Sequence, residues 1–306
     1  MCGRYASARK RQELLAEFHI ERDRVEEDLE PDYNVAPTKP VYAVLTRAPR
    51  GDHGTGEAAH AGDGSARPAA ETPQVAGEGH DASTAAHEGG RAARELRVLR
   101  WGLVPSWAKD PSIGSRLINA RAETVDSKPA FRRAFTKRRC LLPADGFYEW
   151  EQVESDGKTR KQPYFIHRAD GGSLAFAGLY ELWRDRSRPD DDRDAWLWTA
   201  VIITTRAADE VGQIHDRMPM VIEPTTWDDW LDPANTDPSH LHHLLVPAAA
   251  SGLTSYPVST EVNSVRNNGA QLIQPIPPAE RDGVLAGGPG RDGDRAGQPA
   301  APLKLL

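Results

Sequence analysis

The stretch Arg139-Cys-Leu-Leu-Pro-Ala-Asp-Gly-Phe-Tyr-Glu-Trp-Glu-Gln-Val153 contains two short apolar and aromatic runs, 139–143 and 147–153. Similar runs follow at 163–167, 174–182 and 196–205, and turn residues at 155–157 and 170–172 separate several of them. Short apolar runs divided by such turns are typical of β-hairpins. The sequence therefore predicts an α+β fold with a curved, mostly antiparallel β-sheet core.

Short helices are expected to flank this sheet, at residues 8–18, 130–137, 207–211 and 225–231. Two further strands, 41–46 and 96–101, enclose a segment that has almost no large apolar side chains and cannot repay the entropy of ordering. We predict one domain over residues 2–278. A low-complexity acidic insertion at 48–94 interrupts it, and a flexible tail follows at 279–306.

Composition limits the class of protein. The 306 residues include only Cys2 and Cys140, which is too few for a disulfide framework and shows no metal-ligand spacing. No charged-then-apolar leader and no long apolar run is present, so neither export nor membrane insertion is expected. A reducing cytoplasm would keep the Cys2 thiol free.

The charge is unevenly distributed along the chain. Residues 51–95 hold eight acidic side chains against three arginines and so carry −5 of the net −7. A basic region follows, formed by Arg116, Arg121, Lys128, Arg132, Arg133, Lys137, Arg138 and Arg139. Such a region either tracks nucleic-acid phosphates or forms a solvated helix face, and both readings stay open.

Cys2 directly follows the initiator methionine. Removal of Met1 would place a thiol of pKa ~8.5 and an α-amine of pKa ~7.7–8.0 on one carbon. Such a 1,2-aminothiol condenses with an aldehyde to an imine, and the thiol then closes a five-membered thiazolidine. The alternative is a cysteine without function on a frayed terminus.

Two ionisable residues lie in settings that suit proton transfer. Glu149 is flanked by Tyr148 and Trp150, which would raise the pKa of its carboxyl, unless strand alternation turns the side chain to water. His215 precedes an aspartate and an arginine and is either a proton shuttle or a structural histidine.

Polar and aromatic residues also occur at strand and loop positions. Asn119, Arg121 and Glu123 would share one strand face, where Arg121 and Glu123 can simply pair. Asn34 and Pro37 belong to an apparently rigid loop. Trp107 could stack on a nucleobase, whereas Trp101 is expected to be buried.

Together these segments resemble the SRAP domain of abasic-site processing proteins. The matching motifs cover residue 2 to about 276 apart from the insertion; they are Met1–Tyr5, Tyr33–Pro37, Trp101–Pro105, Ile118–Thr124, Cys140–Trp150, Ile214–Pro219 and Val258–Gly269. The resemblance implies that single-stranded DNA containing abasic sites is the partner. It implies capture of the sugar aldehyde by Cys2 as a thiazolidine, with no cofactor or metal.

By the same resemblance, the catalytic residues are Cys2, Asn119, Glu149 and His215, and the DNA-binding residues are Arg4, Asn34, Pro37, Trp107, Arg121 and Arg217. A secondary strand-cleaving lyase activity and self-removal of Met1 are implied as well. The protein would be cytoplasmic and associated with the nucleoid when bound to DNA. The insertion should lie away from the site, because its acidic groups would repel phosphates.

Three other functions remain open at this point. An N-terminal-nucleophile amidohydrolase would use the Cys2 thiol on an amide carbonyl, with the α-amine as base. A thiol peptidase would combine Cys2 with His215. A non-catalytic single-strand binder would use the basic and aromatic residues and would not need Cys2.

Overall fold

The computed structural model describes residues 2–47, 92–155, 158–207, 209–246 and 252–277. The predicted insertion falls on residues outside this description, except for its last three positions. Those positions correct its boundary, because the strand that follows it begins at Ala93 and not at residue 96. The predicted tail also lies outside the described residues.

The strands are β1 Tyr5–Ser7, β2 Arg22–Asp23, β3 Asp32–Val35, β4 Pro40–Arg47, β5 Ala93–Trp101, β6 Asn119–Arg121, β7 Arg139–Ala144, β8 Gly146–Ser155, β9 Lys158–Arg168, β10 Leu174–Arg184, β11 Trp196–Arg206, β12 Arg217–Pro219 and β13 Leu253–Pro257. The helices are α1 Arg11–Glu17, α2 Arg132–Lys137, α3 Asp209–Ile214, α4 Trp227–Leu231 and α5 Pro238–Leu244. The α+β class is confirmed.

Eight strands form the larger sheet, in the order β12-β11-β10-β7-β4-β5-β2, with β6 paired to β11. β5 also pairs in parallel with β11, so β11, β10, β7, β4 and β5 return on themselves as a partial barrel. Most pairings are antiparallel, as predicted, but β6 and β2 also join the sheet in parallel. The sheet is therefore mixed.

The interior of the barrel follows from strand alternation. On β7, Cys140 and Leu142 belong to one buried cluster, and Leu141 between them belongs to another on the opposite face. Gly178 of β10 faces Cys140, where a β-carbon would lie 2.9 Å from the Cys140 Sγ. The absence of a side chain at Gly178 thus lets the two strands close around the core.

A second, five-stranded antiparallel sheet has the order β13-β9-β8-β1-β3. Its middle strand β8 joins the long hairpin with β9 to the short strand β1, which follows the amino terminus. This pairing brings the first residues of the chain against the aromatic segment of β8. The sheet order therefore decides what surrounds Cys2.

Candidate active site

Cys2 is fully buried, with no exposed surface. It belongs to the buried cluster that also contains Tyr5, Trp101 and Phe176. Its Sγ lies 4.0 Å from the Arg4 carbonyl oxygen, within reach of a weak S–H···O bond. Burial raises the pKa of the Cys2 thiol well above its ordinary value, and the nearby Glu149 carboxylate raises it further. The sulfur is therefore held as a neutral thiol.

Asn119 fixes the backbone of Cys2. Parallel pairing with β11 aligns Asn119 with Ile202, and the Asn119 Nδ2 donates a 2.7 Å hydrogen bond to the Cys2 carbonyl oxygen. The Oδ1 of the same amide is buried and has no hydrogen-bond partner among the described residues. One end of the amide thus holds Cys2, and the other leaves a buried acceptor beside it.

Glu149 reaches the site through the register of β8. Tyr5 pairs with Phe147, and the Tyr148 N–H donates to the Arg4 carbonyl oxygen, so Glu149 lies beside the residues that precede Arg4. Only 2% of Glu149 is exposed. Burial raises the pKa of its carboxyl to about 7. The positive charge of the chain's amino terminus lowers this pKa, and the Asp216 carboxylate raises it. Its acid and base forms are therefore comparably populated at neutral pH.

His215 follows α3 and faces Glu149. Its Nε2 lies 4.0 Å from the Glu149 Oε2, and its Nδ1 accepts a 3.0 Å hydrogen bond from the Arg217 backbone N–H. Partial burial lowers the pKa of the imidazole. The Asp216 carboxylate, 3.1 Å from Nδ1, raises it and so partly offsets the effect of burial. The neutral ring then carries its proton on Nε2, on the side of Glu149.

Asn34 and Arg4 hold a loop against the five-stranded sheet. Asn34 lies in β3 rather than in a loop; it is fully buried and donates from Nδ2 to the carbonyl oxygens of Val262, Ser264 and Asn267. Its Oδ1 accepts a 2.7 Å bond from Arg4. The Asn34 side chain thus holds this loop, and its contact with DNA stays a prediction.

The two other predicted arginines differ in exposure. Arg121 is exposed, and it has no ion pair within the described part of the chain. Arg217 is only 9% exposed and donates to both Glu123 carboxylate oxygens, at 2.5 and 3.2 Å, and to the Thr204 carbonyl oxygen. Glu123 lies in a 3-10 turn after β6, so it does not share the strand face of Asn119 and Arg121. Its pairing with Arg217 also rules out the alternative in which it simply pairs with Arg121. The bond to Arg217 also lowers the pKa of Glu123.

Trp107 projects from an anchored loop. It is 60% exposed, whereas Trp101 is fully buried, as expected. The loop is fixed by the Val104 N–H bond to the Thr199 Oγ1 and by the Trp183 indole bond to the Ala108 carbonyl oxygen. A rigid loop therefore presents the Trp107 ring to solvent.

Pro37 is half-buried and precedes Thr38, whose φ of 75° is rare for a β-branched residue. The Thr38 N–H donates a 2.8 Å bond to the Trp101 carbonyl oxygen, which helps to hold this conformation. The turn at Pro37 is thereby tied to the buried end of β5.

Comparisons with known proteins identify the family of this chain. The family model described as SOS response associated peptidase (SRAP) matches residues 1–265. The chain belongs to the SRAP family. Among SRAP relatives, it is 36% identical over 274 residues to "Abasic site processing protein YoqW" of Bacillus subtilis, covering 90% of this chain and 99% of that protein. It is 32% identical over 290 residues to "Abasic site processing protein YedK" of Escherichia coli, covering 90% of this chain and 100% of that protein.

Solved structures support the SRAP fold. A crystal structure from Bacteroides thetaiotaomicron matches with a TM-score of 0.65 at 23% identity, over 90% of this chain and all of that one. A second crystal structure, from Bordetella bronchiseptica, matches with a TM-score of 0.56 at 22% identity, over 84% of this chain and 100% of that one. At these identities the likeness concerns the fold alone.

Two parts of this SRAP site were not found from the sequence. Tyr164 of β9 is the direct cross-strand partner of Glu149, so both side chains lie on one face of the sheet. The loop held by Arg4 and Asn34 also depends on Trp150, whose indole donates to the Asn263 Oδ1. The strand pairing of 147–153 with 163–167 was the available signal for Tyr164.

No group of three or more His, Cys, Asp or Glu side chains is arranged to hold a metal ion in the described part of the chain. Within the same ranges, no helix has the length and apolar character needed to cross a membrane.

Proposed function

We propose that this protein recognises abasic sites in single-stranded DNA and caps them covalently through Cys2 after Met1 has been removed. The observation that carries the proposal is the arrangement around Cys2. Asn119 is hydrogen-bonded to the Cys2 backbone, and a buried carboxyl with a pKa of about 7 lies beside it with a facing histidine. The relatives whose names refer to abasic-site processing support the same substrate.

The proposed reaction needs no redox change. The ring-opened abasic sugar carries an aldehyde at C1′, which the Cys2 amine attacks. The carbonyl oxygen leaves as water and a C=N bond forms. The Cys2 Sγ then adds to the imine carbon, and the thiol proton ends on the nitrogen. The product is a thiazolidine that joins the protein to DNA.

Glu149 is the proposed acid and base of these steps. Opening the sugar moves a proton from its hydroxyl to the ring oxygen, and imine formation protonates a departing hydroxyl. A carboxyl with a pKa of about 7 can give and take protons at neutral pH. His215, neutral and protonated on Nε2, would pass protons to or from Glu149. Asn119 would orient Cys2.

The buried neutral thiol fits the order of these steps. A thiol with a strongly raised pKa is a poor first nucleophile, because the reactive species is the thiolate. The amine would therefore attack first, and the thiol would close the ring after an acceptor has formed beside it. Loss of Met1 is essential, since only its removal frees the amine.

The DNA contacts are divided between exposed and buried residues. Arg121 is free to grip a phosphate, and Trp107 and Pro37 would shape the surface on which bases stack. Arg217 would contact a phosphate only by sharing or exchanging its bond with Glu123. Arg4 and Asn34 would act by positioning the 262–267 loop.

Two secondary activities follow from the same chemistry. β-Elimination at the imine stage would cleave the DNA strand, as a lyase does. Removal of Met1 by the protein itself would require peptide cleavage next to Cys2. We place these reactions in the cytoplasm, with the protein on the nucleoid when it is bound to DNA.

Alternative uses of Cys2 fit the site less well. A thiol peptidase requires a histidine that activates the sulfur, whereas the Nε2 of His215 faces the Glu149 carboxylate at 4.0 Å. An amidohydrolase would release ammonia from glutamine, which a coupled assay detects. A non-catalytic binder would hold abasic DNA without any covalent product.

The deciding experiment is intact mass spectrometry before and after incubation with an abasic single-stranded oligonucleotide. We expect a starting mass lacking Met1 and a product heavier by the oligonucleotide minus one water. Cys2→Ala should abolish this product and leave salt-sensitive binding largely intact. Cys140→Ala removes the other buried thiol and is the matched control. An adduct that survives Cys2→Ala would refute the proposal.

A further inference from the structure

The basic region seen in the sequence divides into two groups in the fold. Arg139 is only 4% exposed and donates to the carbonyl oxygens of Phe135, Trp230, Asp232 and Asn235. Arg138 forms an ion pair with the buried Glu181. These two arginines hold α2 and α4 in place, which corrects their assignment to a phosphate track.

The six other cations of the region are exposed. Four of them, Arg121, Lys128, Arg132 and Arg133, are here called the basic ridge. None of the four forms an ion pair with any residue that the structure describes. The intervening acids are engaged elsewhere, because Glu123 binds Arg217 and Asp126 lies 2.9 Å from the His242 Nε2. The ridge therefore presents four cations without an ion-pair partner among the described residues.

The ridge begins at the active site. Arg121 is two residues from Asn119, whose amide holds Cys2. The Lys128 N–H then bonds to the Thr124 carbonyl oxygen, and the Arg132 N–H to the Lys128 carbonyl oxygen. Each such four-residue turn advances the backbone by ~6 Å. The cations thus follow one another along the chain in short backbone steps from Arg121 to α2.

The ridge is also rigid. Phe131 and Phe135 bury one side of the α2 segment in the core, which leaves Arg132 and Arg133 outside. The Arg139 contacts described above anchor the end of α2. Because the backbone is already fixed, binding an anion here orders only the side chains of these cations.

We propose that the basic ridge binds the DNA backbone on one side of the abasic site, beyond the nucleotides that contact the active site. This inference rests on the proposed function and extends it to a second contact surface. The partner is single-stranded DNA that continues from the phosphate at Arg121 along Lys128 to α2. Its contribution should depend on strand length on one side of the lesion only.

The test compares three abasic oligonucleotides: one with three nucleotides on each side of the lesion, and two that add ten nucleotides to either the 5′ or the 3′ side. The variant is Arg132→Glu with Arg133→Glu. The matched control is Arg186→Glu with Arg193→Glu, two exposed arginines in the β10–β11 connection with the same change in charge. Equilibrium binding is measured across a salt series, and adduct yield is measured in parallel.

We expect the wild type to gain affinity from extension on one side. The ridge variant should lose at least ~10-fold of that gain, and its log–log salt slope on that DNA should fall by ~1.4, as two lost phosphate contacts require. The control variant and the short oligonucleotide should be unaffected, including in adduct yield. The proposal would be refuted if the ridge variant kept the wild-type gain in affinity, if it lost affinity equally for the 5′ and 3′ extensions, or if the control variant lost as much affinity. If the wild type formed no adduct, the proposed function would be refuted instead. The binding measurements would still test the contact between the ridge and DNA.

Discussion

Replacing Glu149 by glutamine should remove proton transfer while keeping the shape of the side chain. A positioned acid or base contributes ~10²–10⁴-fold to a rate, so adduct formation near pH 6.5 should slow by that range. Binding of abasic DNA should change much less, because Glu149 is buried and its ionised form is not required for phosphate contact.

The raised pKa gives this prediction a specific pH dependence. For an acid with a pKa of about 7, the protonated fraction is ~0.99 at pH 5, ~0.5 at pH 7 and ~0.01 at pH 9. Departure of the hydroxyl during imine formation uses the protonated form of Glu149. When this step limits the rate, the rate ratio of wild type to Glu149→Gln should stay within about 2-fold between pH 5 and 7, and fall by about 50-fold by pH 9. Taking the ratio cancels the titration of the Cys2 amine, which both proteins share.

Single-turnover adduct formation, followed on denaturing gels or by mass, measures this ratio. Glu151→Gln is the control, since Glu151 lies two residues further along the same strand face and shows no such burial. A carboxyl with an ordinary pKa near ~4.3 would lose over 50-fold of its protonated form between pH 5 and 7. A ratio that falls in that acidic range, or equal losses of rate and binding, would refute the argument.

Two further predictions concern stability. The pKa of Glu149 rises from 4.5 to about 7 on folding, so the free energy of unfolding of the wild type falls as the pH rises through this window. Glu149→Gln should therefore be more stable than the wild type by about 3 kcal/mol at pH 8 and equally stable below pH 4. Thermal melts of both proteins at the two pH values measure this difference. Arg139→Met should lower the free energy of unfolding by ~3 kcal/mol or more, because it leaves four carbonyl oxygens without their hydrogen-bond donor. Arg133→Met should change the free energy of unfolding by less than ~0.5 kcal/mol. Urea titrations measure both values. Equal effects of the two arginine variants would contradict the anchoring role.

The sheet core could be predicted because its strands carry strong local signals. The hairpin strands at 41–46 and 96–101 were located from apolar runs alone, and the structure pairs them directly as β4 and β5. Closure of the barrel could not be predicted in this way. The parallel pairing of β5 with β11 joins Trp101 to Ala200 across a hundred residues, and no local pattern encodes such a contact.

The candidate site shows the same division. The aromatic neighbours of Glu149 indicated a raised pKa, and the structure buries the side chain as that reasoning requires. For Asn34 the local motif gave no sign of burial, because its three carbonyl partners come from a loop more than 220 residues later. Pairing choices such as Glu123 with Arg217 rather than Arg121 likewise depend on tertiary geometry.

The burial of Cys2 among Tyr5, Trp101 and Phe176 has a consequence for the lifetime of the proposed adduct. A bond formed at this sulfur would lie against the buried cluster, which would shield it from bulk water and from proteases. The linkage would then persist for as long as the domain stays folded. The unfolding rate of the protein would then limit how fast the linkage is exposed, and hydrolysis of the thiazolidine or proteolysis of the chain would still be needed to free the DNA.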